Sequence, residues 1–253
     1  MILKLISVSL YLGLVSCSSS PSGAMVRLSS MMASSYFPEG PQRELAQSAE
    51  NGNIQKLDEA MAHGASPNFV GAEEMTPLMW SLVKQSKNGY RRLLEQGANP
   101  NFKTKRRAAE DLGRSVMMVA AICEDSEFLR LALEYKGNPN SPSKVPTRTI
   151  IFDAIENRRI NNVETIAKYG GNINHQDRLG DTPIIRAVLA SQFDIVYRLL
   201  MLGADPKKRS NSGSNVMDLL IKYGDRATYI TGESKQREWF QKVVNELKLK
   251  NLM

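Results

Sequence analysis

Thr182 to Pro206 reads TPIIRAVLASQFDIVYRLLMLGADP, and the reading of these 25 residues decides the fold. A threonine followed by proline opens a helix, because the hydroxyl caps free backbone N–H groups and proline is at ease in the first turn, where its missing donor is not needed. The aliphatic residues of TPII and of the run from Ile195 to Leu200 supply the buried stripes of two short antiparallel helices. Gly203 ends the second helix, and GADP makes the turn that follows. None of these residues does chemistry, so activity must lie in what a stack of such units presents.

The unit recurs. Five turns align, at Gly64-Ala65-Ser66-Pro67-Asn68, Gly97-Ala98-Asn99-Pro100-Asn101, Lys136-Gly137-Asn138-Pro139-Asn140, Gly170-Gly171-Asn172-Ile173-Asn174 and Gly203-Ala204-Asp205-Pro206-Lys207, with first positions 33, 39, 34 and 33 residues apart. The helix openings repeat independently: TPLMWSL from Thr76, SVMMVAA from Ser115, TIIFDAI from Thr149, TPIIRAV from Thr182 and SNVMDLL from Ser214. Seven residues before each turn stand Leu57, Tyr90, Leu129, Val163 and Val196; three before stand Met61, Leu94, Leu133, Ala167 and Leu200. All ten suit a buried face. In these openings, turns and period the chain resembles ankyrin-repeat proteins, which implies an all-α ankyrin-repeat solenoid stabilised by stacking of neighbours.

The array is expected over residues 41–223. Its first unit, ELAQSAENGNIQKLDEAMAHGASPN from Glu44, lacks the TPL opening and reads as a polar amino-terminal cap. A sixth unit begins at Ser214 and reaches no GADP turn; instead Trp239, Phe240, Val243, Val244 and Leu247 recur at helical spacing, so residues 224–253 are expected to hold a C-terminal capping helix, with Trp239 part of that cap. A membrane-surface helix is the alternative there.

At the other end, residues 1–16, MILKLISVSLYLGLVS, combine an early Lys4 with an apolar run too short to span a bilayer, the make-up of a signal peptide. Leu14-Val15-Ser16-Cys17 resembles the lipobox of bacterial lipoproteins. That resemblance implies cleavage before Cys17 and diacylation of its thiol, and a serine pair after it rather than an aspartate implies the periplasmic face of the outer membrane. Two acyl chains, at about 0.8 kcal/mol per buried methylene, make a lasting anchor. Residues 17–40 then read as the lipidated cysteine and a serine-rich tether, with an average span of roughly 25 Å. Met25, Met31 and Met32 lie here, and an internal start at any of them would give an unlipidated cytoplasmic form with every repeat intact.

Composition sets wide bounds. Hydrophobic residues at 42% and charged residues at 23% suit a soluble body, and the net charge of +7 suits an acidic partner or a membrane surface as readily as nucleic acid. With Cys17 lipidated, Cys123 is expected as a small buried core residue and no structural disulfide remains. His63 and His175 have no second ligand at metal spacing, so no metal site and no cofactor is expected. There is no G-x-S-x-G elbow, phosphate loop or H-E-x-x-H, and no aromatic residues interleave with the basic loop, so neither an enzyme nor a nucleic-acid binder is expected.

The departures from the repeat carry the functional expectations. Thirteen residues, FKTKRRAAEDLGR, separate Asn101 from Ser115 where seven separate Asn174 from Thr182. The six extra residues sit in the hairpin finger of ankyrin proteins and gather Lys103, Lys105, Arg106 and Arg107, a candidate contact for an acidic partner or simply a solvated basic loop. From Glu39 to Glu74 the net charge is −5, and from Met75 to Ser115 it is +6; opposed patches steer a partner, and neighbouring solvated faces account for them equally well. The position after the family's TPLH opening, which faces the groove in ankyrin proteins, holds Trp80, Val119, Asp153, Arg186 and Asp218. Of these Trp80, Asp153, Arg186 and Asp218 are candidate partner-binding residues, Trp80 either anchoring a partner or packing between repeats. A lipoprotein signal joined to a small ankyrin array resembles the immunity proteins paired with phospholipase effectors of type VI secretion. This implies a protein partner, a secreted lipase, bound beside the membrane by a protein that is monomeric when free. The competing expectation is a periplasmic scaffold lipoprotein that assembles envelope proteins.

Overall fold

The computed structural model describes residues 31–105, 113–143, 145–224 and 234–252. The chain divides after Asn138 into two units. In the first lie α1 (Pro41–Asn51), α2 (Ile54–Ala62), α3 (Pro77–Val83), α4 (Lys87–Glu95), α5 (Val116–Ile122) and α6 (Ser126–Glu134). The second holds α7 (Ile150–Glu156), α8 (Ile160–Lys168), α9 (Pro183–Leu189), α10 (Phe193–Met201), α11 (Val216–Gly224) and α12 (Ser234–Leu249). Within each unit the first helices of successive pairs pack on one another, as do the second helices. The only extended pairing among the described residues is two isolated bridges, Lys103 with Ser115 and Pro142 with Thr149. The all-α helix-pair architecture is the expected one.

The openings work as the sequence indicates. The hydroxyls of Thr76, Ser115 and Thr182 accept from the N–H groups of Met79, Met118 and Ile185. Thr149 makes no such bond. The first residue of every turn is left-handed, with φ of 93°, 82°, 84° and 89° at Gly64, Gly97, Gly170 and Gly203 and 67° at Lys136, where a β-carbon makes that conformation unfavourable. Of the two apolar columns, the one seven before the turn is entirely buried. In the second, Leu94, Leu133 and Leu200 are buried while Met61 and Ala167 are half-buried. The fully buried companion lies one residue earlier, at Ala60, Leu93, Ala132, Ile166 and Leu199. A spacing of three residues keeps both columns on one face of the second helix.

Three boundaries differ from the expectation. Residues 33–37, assigned to the tether, are packed: Ala33–Ser35 forms a 3-10 turn, and Ala33, Tyr36 and Phe37 are buried. The sixth pair is one residue later than SNVMDLL suggests, since Asn215 caps α11: its side-chain oxygen accepts from the Asp218 N–H at 3.0 Å. Helix α12 packs on α10 as the second helix of that sixth pair, with Val243 and Leu247 buried and Phe240 edge-on to Phe193 at 5.0 Å. Trp239 is half-buried there, 5.5 Å from Tyr197 and capped by Lys242 at 4.2 Å. Cys123 is buried as expected, but it is disulfide-bonded, against the expectation of a chain with no disulfide. Cys17 and Met25 lie outside the described residues.

Candidate protein-binding surface

The first-helix row does not present the side chains expected of it. Trp80 is a core residue: it is 0% exposed, its ring lies 5.5 Å from Tyr36 and 6.0 Å from Phe37, and its indole N–H donates to Glu50 Oε2 at 3.1 Å. Lys84 Nζ sits 4.8 Å from the same ring and pairs with Glu50 at 3.0 Å. The cover comes from the very segment that composition assigned to the tether. Val119 is buried as well. Asp153 is 4% exposed, with its Oδ1 accepting from the Ser143 hydroxyl at 2.7 Å, so its charge is held inside its own repeat rather than offered to a partner.

Arg186 belongs to a chain of ion pairs inside the second unit. Arg148 donates from Nε to Asp177 Oδ2 at 2.9 Å and from Nη1 to Glu156 Oε1 at 2.6 Å; Arg186 reaches the same Glu156 oxygen at 3.5 Å and Asp181 at 3.6 Å. Burial alone would raise the Asp177 carboxyl, but the Arg148 hydrogen bond and the N–H groups of Leu179 and Asp181 outweigh it and hold the group below the usual carboxylate range. Burial first, and then the Asp177 charge, push Asp181 up. Asp218 is exposed, yet its Oδ2 accepts from the Asn215 N–H at 3.2 Å and from Arg209 at 2.8 Å. It is the third residue of a capping box and not a member of the row. These ionisable groups position the backbone before they offer anything to a partner.

The basic finger starts as a short hairpin, with the Thr104 N–H donating to the Arg114 carbonyl at 2.8 Å and the Arg114 N–H to Thr104 Oγ1 at 2.7 Å. Lys103 and Lys105 are exposed; Arg106 and Arg107 lie outside the described residues. The Lys105 N–H donates to Glu74 Oε2 at 2.7 Å, which ties this finger to its acidic neighbour. Much of the charge opposition between the two stretches is used within the first unit. Lys84 pairs with Glu50 and Arg92 clasps Asp58 through two bonds of 2.9 and 3.0 Å, while Lys87 and Arg91 meet Asp125 and Glu127, which lie beyond both stretches. The Arg92, Lys87 and Arg91 pairs are open to solvent and contribute only about 0–1 kcal/mol each, whereas the Lys84 side chain is 8% exposed; together the pairs engage four cations.

The turns carry a feature that sequence reasoning aligned without assigning it a role. The Asn68 amide donates to the Gly97 carbonyl at 2.9 Å and its oxygen accepts from the Asn99 N–H at 2.7 Å. Asn101 does the same to Lys136 and Asn138 at 2.8 and 2.7 Å. Asn140 repeats the pattern with Gly170 and Asn172 at 3.4 and 2.7 Å, and Asn174 accepts from Asp205 at 2.8 Å. One asparagine per turn thus pins the following turn; the recurrence of Asn in the fifth turn position was the signal.

Residues 117–210 match the family described as ankyrin repeats, in three copies. Over these residues the chain is similar to ankyrin repeats. The ankyrin fold reaches past that segment: an ankyrin repeat domain from Acinetobacter baumannii AYE superposes with a TM-score of 0.62 over 79% of this chain and 96% of that one, at 21% identity. EF0377, an ankyrin repeat protein, gives 0.58 over 72% and 92%, at 24% identity. Both likenesses speak for the fold alone. Protein PhlB of Serratia liquefaciens is 30% identical over 141 residues, 55% of this chain, and the chain spans 59% of PhlB's length. Ankyrin arrays are binding scaffolds whose extended surfaces take protein partners, and the described residues contain no cluster of metal-ligating side chains.

Proposed function

We propose that this chain is a membrane-tethered periplasmic binding protein, anchored through a diacylated Cys17, that captures and blocks a lipase effector of type VI secretion. The observation that carries a binding role is how the ankyrin repeats distribute their polar groups. Asp153, Arg186 and Asp218 are engaged by other groups of the array, while Val70 (45% exposed), Lys103 and Lys105 stand out on the fingers of the first unit. A finger edge with apolar and basic side chains suits an acidic protein face. The lipobox-like Leu14 to Cys17 supports the tether, and an anchor that holds an inhibitor where a lipase attacks raises its effective concentration there.

The test is genetic. Cells that lack this gene, placed with siblings that deliver the lipase, should lose membrane integrity and die, and a copy with Lys103→Glu and Lys105→Glu should protect less well than wild type. Normal survival of the deletion strain under confirmed effector delivery would reject immunity. Recovery of envelope proteins but no lipase from mildly solubilised membranes would point to the scaffold role instead.

A further inference from the structure

Residues 31–37 lie across the first helices of the first two repeats as a bound peptide would. The Tyr36 carbonyl accepts from the Ala72 N–H at 2.8 Å, the Phe37 carbonyl accepts from Arg43 Nε at 3.1 Å, and the Met31 carbonyl accepts from Lys84 Nζ at 2.7 Å. The two adjacent rings cover Trp80, which rests on Glu50 and Lys84 beneath. The first finger is shaped to admit this segment: a β-carbon on Gly71 would stand 2.3 Å from the Tyr36 carbonyl oxygen. Between the anchored carbonyls, Met32 remains 68% exposed and Ser34 and Ser35 are exposed too. The attachment is therefore made by backbone carbonyls, the buried Ala33 and one aromatic pair, on a segment that turns through a 3-10 helix at Ala33–Ser35.

We propose that the recess formed by Trp80, Glu50, Lys84 and Gly71 is a peptide-binding site for a turned segment carrying two adjacent aromatic side chains, and that residues 31–37 are its occupant in cis. A partner segment of the same chemistry competes for the recess, so the strap sets a threshold for engagement at this end of the array. This holds whatever the partner is.

The test uses the full chain with Trp239→Phe, which leaves Trp80 as the single indole. Gly71→Ala keeps an ordinary backbone, since φ is −83° at Gly71, and its β-carbon pushes chiefly on the strap, at 2.3 Å from the Tyr36 carbonyl oxygen against 3.2 Å from that of Met75. Tyr36→Ala with Phe37→Ala removes the rings instead. Both chains should keep their helical far-UV signal and show stronger acrylamide quenching of Trp80; the Tyr36→Ala/Phe37→Ala chain should bind a synthetic peptide of residues 31–40, MMASSYFPEG, which restores the shielding, whereas Gly71→Ala, whose β-carbon meets the peptide's Tyr36 carbonyl as it meets the strap's, should not bind it. The same peptide with alanine for both aromatics should bind at least ~10-fold more weakly. The proposal is overturned if both opened chains unfold, if Trp80 stays shielded in both, or if the two peptides bind the Tyr36→Ala/Phe37→Ala chain alike or not at all.

Discussion

Tyr90 occupies the one polar place in a column otherwise made of Leu57, Leu129, Val163 and Val196. It is 0% exposed, with its ring edge-on to Phe128 at 5.2 Å, and its hydroxyl has no hydrogen-bond partner among the described residues. Burial pushes its ionisation far above the ordinary tyrosine range. A buried, unpaired hydroxyl costs about 1–3 kcal/mol in desolvation, so Tyr90→Phe should stabilise the protein by about 1 kcal/mol, seen as a higher urea midpoint with an unchanged slope. A lower midpoint would mean that the hydroxyl finds a partner. The burial of this position was legible from its column, but the missing partner was not, because polar satisfaction depends on atoms contributed by other repeats. The same limit applied to Trp80 and Asp153: the register placed both on the groove side, and only the neighbours Tyr36, Phe37 and Ser143 showed that they are covered.

Successive elements are joined at the turns as well as through their apolar faces. Asn68, Asn101 and Asn140 each satisfy one carbonyl and one N–H of the next turn, two backbone groups that lie outside any helix, and Asn174 satisfies one N–H. Asn101→Ala removes both bonds at once and should lower stability by about 1 kcal/mol or somewhat more, while Asn101→Asp should keep the acceptor half. The measurement is chemical unfolding with helical content checked before the transition; an unchanged midpoint for Asn101→Ala would show that water replaces the ladder fully. Packing between first and second helices was legible from spacing alone, because a period near 3.6 residues fixes the buried face. The register of α11 was not. Ser214 and Asn215 are both capping residues by type, and the reciprocal bonds between Asn215 and Asp218 decide between them. Nor did composition show that Gln236 on α12 accepts from the Phe193 N–H at 2.9 Å, so that one helix caps another across 43 positions of sequence.

For the molecule as a whole, the two cysteines make opposed claims. Lipidation uses the Cys17 sulfur as a thioether, whereas Cys123 is disulfide-bonded in the structure, and the chain has just two cysteines. The two chemistries exclude an intrachain bond in the lipidated protein. On the proposed function, protein extracted from membranes should incorporate labelled palmitate, lose it with Cys17→Ser, and show one titratable thiol, that of Cys123, after denaturation without reductant. Finding no thiol and no lipid would identify a disulfide-linked form and remove the tether. Charge tells a similar story at this scale: the net +7 is a property of composition, but which cations remain for a partner follows from the pairs that fold into place.

By itself the sequence determined the repeat, its period, its capped openings, its left-handed turns and the buried column, because each is set by local geometry acting over a few residues. Tertiary structure alone decided what those side chains are free to do. Tyr36 and Phe37 reach Trp80 across more than 40 positions, the turn asparagines bond about 30 residues ahead, and Arg148 meets Asp177 from the next repeat. Exposure and pairing are set by what stacking brings alongside, and no local pattern encodes them.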